Sequence, residues 1–379
     1  MIDIRKLLYL VAALGVFACQ NSEKEQQDTV ALTPYAVSSI EDIFSDVDIV
    51  PLLFEGETYP SVANQVQVSD DYIFVGDNKK RIHVFDKDGH YVSCSRWVRG
   101  AGPGEYDMMM GFSWNPFSRS IQLLTPHKLM QYDINFNPIG EFALPTKLGE
   151  DNLIFDQIYG LSDYNNLLLP TGTSESPYCG YVFDASTGEI SDRFDYSADV
   201  LVPIAMQEQC LFRTDGGKLY FVAPAFTGEV FSLLDGQLKN EITFSYDGDF
   251  ISKVDVSKYD GDEAGLGRYL MECDKSIPVR TMISNDKVLT YVKSGQTLRD
   301  FYVIFTDLKN GDNRRVNLYD GVDCKFPFAD YSDGDGIYVV YDKESLLNSP
   351  KLLLDKAEKK DSIFADIEDE SLILLKYKF

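Results

Sequence analysis

Apolar residues in this chain come in short runs, and the runs recur. YIFVGD from Tyr72, SIQLLTP from Ser120, NLLLPTG from Asn166, KLYFVAP from Lys218, KVLTYVK from Lys287 and GIYVVYD from Gly336 begin at spacings of 48, 46, 52, 69 and 49 residues. Each is rich in Val, Ile, Leu, Tyr and Phe, and each is followed by a turn and a second run, which marks strands rather than helices. A period near 50 built from strands and turns predicts one four-stranded blade per repeat, and six repeats predict an all-β, six-bladed β-propeller.

Within a repeat the next strand has the same character, as in Arg81–Asp86, Lys128–Asp133 and Gly180–Asp184. In these three an aromatic residue and an Asp close the strand, and a turn follows: DKDGH, DINFNP or DASTGE. Asp, Asn and Gly enter turn conformations at low cost, so these carboxylates are read as hairpin tips rather than chemistry. The longest interval holds a segment in which Asp262 to Cys273 is expected to be a short helix and Ile277 to Ser284 the inner strand of blade five. Insertions in repeat folds map to one face, often the binding face, which makes this segment a candidate rim for a ligand site. The sixth repeat is incomplete. After Gly336–Asp342 come a charged, helix-like insertion (Glu344 to Glu370) and one strand, Ser371 to Phe379. The missing outer strand is expected from Val47 to Phe54, which would latch the ring by closing its last blade with N-terminal chain.

The first residues change the picture from fold to location. Arg5 and Lys6 precede an apolar run, Leu7 to Phe17, too short to span a bilayer and laid out like a signal peptide. It ends in Val16-Phe17-Ala18-Cys19, which resembles the lipobox of bacterial lipoproteins, in which the Cys is acylated and becomes the first mature residue. The expected organisation is therefore a signal peptide over 1–18, a lipidated Cys19 with a flexible polar tether over 19–40, and a propeller over 41–379. The acidic stretch behind Cys19 resembles the export signal that takes some lipoproteins to the cell surface. A net charge of -25 repels phosphate backbones and anionic headgroups, so nucleic acid is excluded as a partner and the membrane is reached through lipid.

Candidate chemistry is sparse. Beyond Cys19, five cysteines are scattered without CxxC spacing and read as isolated thiols; His83, His90 and His127 show no ligand spacing. The sharpest motif is Arg99-Gly100-Ala101-Gly102-Pro103-Gly104-Glu105-Tyr106. Three glycines and a proline suggest an anion cradle, but the motif lacks the Lys-Ser/Thr of a phosphate-binding loop. It falls where the outer strand of blade one must cross to the inner strand of blade two, so it reads as a structural crossover with Glu105 tying down loop amides or a cation. The acidic loops at Tyr246–Asp249, around Asp260 and Asp262, and around Asp333 and Asp335 are candidate calcium ligands, although none completes an EF-hand spacing. His83, mid-strand between Ile82 and Val84, reads as structural or surface.

Taken together, the signal with Cys19, Ile49-Val50-Pro51-Leu52, the YIFVGD…IHVFDKDG repeat, RGAGPGEY and the terminal LILLKYKF resemble the six-bladed β-propeller lipoproteins of Bacteroidales-type bacteria and, more distantly, NHL repeats. The resemblance covers essentially the whole chain. It implies fold and an envelope, outer-membrane location, with no general enzymatic activity to carry over. Two function classes follow. One is a monomeric binding platform for a glycan, peptide or protein partner, without a cofactor. The alternative is a metal-dependent hydrolase or lactonase with Glu, Asn and Asp oxygens from several blades converging near the central channel.

Overall fold

The computed structural model describes residues 28–31, 36–54, 60, 63–171, 178–195, 202–203, 207–223, 225–226, 229–234, 237–245, 250–251, 255, 257–259, 262–295, 297, 300–320, 323–348 and 371–379. Its strands pair into six four-stranded antiparallel blades, each running from an inner to an outer strand. Blade 1 is Ala63–Val68, Tyr72–Asp77, Ile82–Asp86 and Tyr91–Cys94. Blade 2 is Gly111–Asn115, Ser120–Leu124, Lys128–Tyr132 and Pro138–Ala143. Blade 3 is Phe155–Gly160, Asn165–Pro170, Tyr178–Asp184 and Glu189–Asp195. Blade 4 is Leu211–Arg213, Leu219–Phe221, Glu229–Leu234 and Gln237–Ser245. Blade 5 is Ile277–Ser284, Lys287–Lys293, Phe301–Asp307 and Asp312–Asn317.

Blade 6 closes the ring in the way the sequence requires. Its strands are Tyr331–Ser332, Gly336–Asp342, Leu372–Lys378 and, outermost, Asp46–Leu52 from the N-terminal side. The latch is antiparallel and in register over its whole length, from Asp46 opposite Lys378 to Leu52 opposite Leu372. Phe44, just before it, packs its ring against Phe326, Tyr377 and Phe379 at centroid distances of 5.4, 5.4 and 4.9 Å.

Part of the segment read as a flexible tether is instead strand. Asp28–Ala31 pairs in parallel with the outer strand of blade 4, and Ala36–Val37 in parallel with that of blade 5. The outermost strands of those blades carry free backbone N–H and C=O groups, and this chain satisfies them on its way to the latch. The N-terminal segment thus straps blades 4, 5 and 6 in succession.

The core follows the ring, because each blade hides one face against its neighbour. Phe74, Val84, Phe112 and Tyr132 fill the joint between blades 1 and 2; Leu124, Ile158, Leu168 and Tyr181 fill that between blades 2 and 3; Leu52, Val75, Phe85 and Leu374 join blade 6 to blade 1. Inner strands approach closely enough that a Cβ at Gly111 would lie 2.0 Å from the Asp156 carbonyl oxygen, so this joint admits only glycine. The expected helix is present as Glu263–Glu272, capped by Asp262 and held by Lys293, whose Nζ donates to Leu270 O and Met271 O. A second helix, Lys343–Asn348, begins the insertion of blade 6, whose residues 349–370 lie outside the described residues.

Candidate functional site

Inner strands of a propeller face the axis, and here glutamines stitch them together. The Gln67 amide donates to Phe112 O (3.0 Å) and accepts from the Trp114 N–H (2.9 Å), joining blades 1 and 2. Gln207 pairs in the same two-way fashion with Thr281 of blade 5, at 2.9 and 2.8 Å, and Gln209 with Ser332 of blade 6, both at 2.8 Å. A primary amide reproduces one rung of a β-ladder, so each of these glutamines fixes the spacing of two blades. Because Gln209 reaches past blade 5 to blade 6, the ring is narrow at that level. On the hairpin-turn side the Arg213 guanidinium of blade 4 lies over the Phe117 ring of blade 2, 5.1 Å from its centroid.

The opposite side, where the crossovers between blades run, is charged. Asp156, Glu208, Arg280 and Asp330 stand at or near the starts of the inner strands of blades 3, 4, 5 and 6. Arg280 is buried within Ile277–Ser284, every residue of which is buried. Its guanidinium stacks on the Phe328 ring at 4.4 Å, donates to the Ala329 carbonyl and stands 3.5 Å from the Glu208 carboxylate. Glu208 keeps 47% of its side chain exposed, yet burial by the surrounding protein raises its pKa while the Arg280 charge pulls it down. Burial pushes the Asp330 carboxyl up to about 6; the Val340 N–H, which it accepts at 2.8 Å, and Arg280 oppose this, and Glu208 adds to it. Burial likewise raises Asp156. Glu208, Asp330 and Arg280 thus gather two carboxyls and one guanidinium beside the Phe328 ring.

The residues singled out from sequence lie elsewhere. Arg99 to Tyr106 forms the crossover from blade 1 to blade 2. There the Glu105 carboxylate accepts from the Gly102 N–H (2.9 Å) and occupies the space a Cβ on Gly100 would need, 2.0 Å away. The loop is filled by its own acid. Gly104 takes a positive φ of 72°, Tyr132 donates to its carbonyl at 3.1 Å, and Tyr106 donates to Lys80 O at 2.9 Å, so Gly104 and Tyr106 both serve packing; Pro103 sits within the same turn. Of the acidic candidates, Asp262 accepts from the Gly265 N–H as a helix cap. Asp333 accepts from the Asp335 and Gly336 N–H groups, and Lys376 places its ammonium 2.8 Å from Asp335 and 3.9 Å from Asp333. Cys19, Asp260 and the loop 246–249 lie outside the described residues. His83 is fully buried and meets Asp77 through Nε2 at 3.2 Å, so of the structural and surface readings only the structural one stands. Among the described residues, Cys94, Cys179, Cys210, Cys273 and Cys324 form no disulfide with one another.

Among the described residues, the one group of three His, Cys, Asp or Glu side chains close enough to share an ion is Asp86, Asp88 and His90. It is the exposed hairpin tip of blade 1, where Asp86 already accepts from the Asp88 and His90 N–H groups, far from the inner strands. Glu208, Arg280 and Asp330 were not legible as a site. They come from three repeats and form no local motif, and the one available signal is an arginine inside an otherwise uncharged inner strand.

Six four-stranded blades and closure of the last by an N-terminal strand define a six-bladed β-propeller. The chain belongs to the DUF4934 family, a domain of unknown function, which matches residues 33–370. No curated protein matches the chain. Its fold is similar to that of a Bacteroides fragilis protein described as exported, at 14% identity and a TM-score of 0.67, over 93% of this chain and 100% of that one. It is also similar to a member of the DUF4221 family from Bacteroides vulgatus, at 12% identity and a TM-score of 0.55, over 89% and 97% of the two chains. These likenesses are of fold, and they agree with the Bacteroidales propeller family named from the sequence. Among the described residues no helix is long and apolar enough to cross a membrane.

Proposed function

We propose that this protein is an envelope lipoprotein, anchored to the outer membrane by an acylated Cys19, whose propeller is a binding platform for a peptide or protein partner. The observation that carries the binding reading is the cluster at the axis, where the Glu208 and Asp330 carboxyls meet one arginine, Arg280. That excess of negative charge, in a chain of net charge -25, selects a partner that inserts a basic group, such as a lysine side chain or an amino terminus. Phe328 and the Arg280 stem supply apolar surface beside it.

The test is a titration of the protein with lysine-rich, neutral and acidic peptides. Basic peptides are expected to bind at pH 7.5 and to weaken at pH 5, because Asp330 takes up a proton as the pH falls through about 6 and its charge is lost. The double variant Glu208→Gln/Asp330→Asn is expected to bind at least about tenfold more weakly, the loss of a charge-assisted contact. Removing two exposed carboxylates elsewhere, Glu141 and Asp192, is the control for net charge. Equal losses in both variants would reduce the attraction to bulk charge and sink the site.

The anchor is checked separately. A fatty-acid analogue fed to the producing cell is expected to label the wild-type protein, while Cys19→Ala is expected to be unlabelled and to leave the membrane fraction. Labelling that survives the substitution would remove the anchor from the reading.

A further inference from the structure

The strap along blades 4 and 5 has a direction. The outer strand of blade 4, Gln237–Ser245, runs from the hairpin-turn face toward the crossover that leads to blade 5. Asp28–Ala31 lies parallel to it, with Asp28 beside Ile242 and Ala31 beside Ser245. Chain arriving from the N-terminal side therefore joins the ring travelling from the hairpin-turn face to the crossover face. Ala36–Val37 joins blade 5 in the same sense, beside Arg314 and Arg315. A strand running the other way would need the different bond pattern of an antiparallel ladder, so the direction of entry belongs to the pairing.

The reach of the chain is short. Nine peptide steps separate Cys19 from Asp28, and full extension of that length spans about 30 Å. An acyl group on Cys19 thus keeps the outer edge of blade 4 within about 30 Å of the bilayer.

The two faces of the ring are built differently. Every turn on the hairpin-turn face holds two to five residues. The crossover face, which also takes the turns between second and third strands, carries the helices Glu263–Glu272 and Lys343–Asn348. It carries three two-stranded ribbons as well: Lys147–Leu148 with Asp151–Asn152, Val202–Pro203 with Ala225–Phe226, and Tyr319–Asp320 with Asp323–Cys324. The cluster of Glu208, Arg280 and Asp330 lies on this elaborated face. Exposed carboxylates at Asp71, Asp163 and Asp215 are spread over the plain one, so its approach to a bilayer rests on the chain and not on charge.

We propose that the strap orients the propeller, with the hairpin-turn side of blade 4 toward the membrane and the crossover face turned away from it. This rests on the acylated Cys19 of the reading above. The partner of the Glu208, Arg280 and Asp330 cluster then approaches from the aqueous side.

Energy transfer from the acylated protein to a headgroup-labelled acceptor lipid in phosphatidylcholine vesicles tests this. A residue carrying a fluorescent donor replaces either Gly216, at the exposed hairpin tip of blade 4, or Met271, exposed on the helix of the crossover face. Transfer from position 216 is expected to exceed that from 271 at least about twofold, because a seven-residue strand separates the faces by about 23 Å. Replacing residues 28–37 by a Gly-Ser chain of equal length is expected to remove the difference while the ring still melts cooperatively. Equal transfer from the two positions, or more from 271, overturns the proposal. So does a difference that survives loss of the strap. Protein found without an acyl chain refutes the anchor instead, and a lipid thioester ligated to an amino-terminal Cys19 then puts the orientation to the same measurement.

Discussion

Deleting residues 45–54 is expected to abolish cooperative folding of the ring. The deleted strand supplies the whole outer edge of blade 6, paired from Asp46 opposite Lys378 to Leu52 opposite Leu372, and with it the salt bridge from Lys378 to Asp48 at 2.6 Å. Val47 and Leu52 are buried, and loss of that burial alone removes about 1.5–3 kcal/mol for each. The uncovered strand Leu372–Lys378 then has an unpaired edge and a bare apolar face, which converts lost stability into aggregation. Since the net stability of a folded protein is of order 5–15 kcal/mol, no cooperative transition is expected to remain. Thermal unfolding followed by circular dichroism is the measurement, and a sharp transition at the wild-type temperature would refute the latch. Blades 4 and 5 offer an internal comparison: their extra strands lie outside complete four-stranded sheets, so removing 28–37 is a far milder loss.

Asp77→Ala is expected to be the most damaging single substitution, with a cost of about 3–5 kcal/mol. Asp77 is fully buried at the end of the second strand of blade 1. Its carboxylate accepts from the Lys79 and Arg81 N–H groups at 3.0 Å, from Arg81 Nε at 2.8 Å and faces His83 Nε2 at 3.2 Å. Removing it strands a guanidinium and an imidazole inside the blade. Asp86 ends the next strand in the same role at an exposed hairpin tip, and Asp86→Ala is expected to cost only about 1 kcal/mol. Burial by itself would raise the Asp77 pKa, but hydrogen bonds from His83 and Arg81 outweigh it and hold the carboxyl well below the usual range. A depressed folded pKa contributes stability that is present above the unfolded value, near 3.9, and lost as pH falls through the folded value. The difference in stability between wild type and Asp77→Asn is therefore expected to be constant from neutral pH down to about 4 and to shrink below it. A difference that vanishes already at pH 6 would remove the carboxylate from this account.

Blade count and closure were written in the chain because they rest on local signals. A run such as Tyr72–Asp77 followed by a turn is a strand wherever it sits, and the unpaired Val47 to Phe54 has one natural place once the sixth repeat is seen to lack an outer strand. Other features depend on what distant residues meet. Asp28–Ala31 reads as polar tether because nothing in it shows the free edge of blade 4 that it covers. Asp333 and Asp335 look like a cation site until Lys376, 41 residues from Asp335, supplies the charge between them. Glu208, Arg280 and Asp330 are single residues in three repeats, and only ring closure makes them neighbours.

The position of the latch also sets an order on biosynthesis. The first strand of the finished sheet to be made, Asp46–Leu52, belongs beside Leu372–Lys378, the last one made. Between them more than three hundred residues must emerge, so the ring cannot be sealed while the chain is still being delivered, and its slowest pairing is its final one. Until then the early strand has no partner, and its Val47 and Leu52 are open to pairing with other chains.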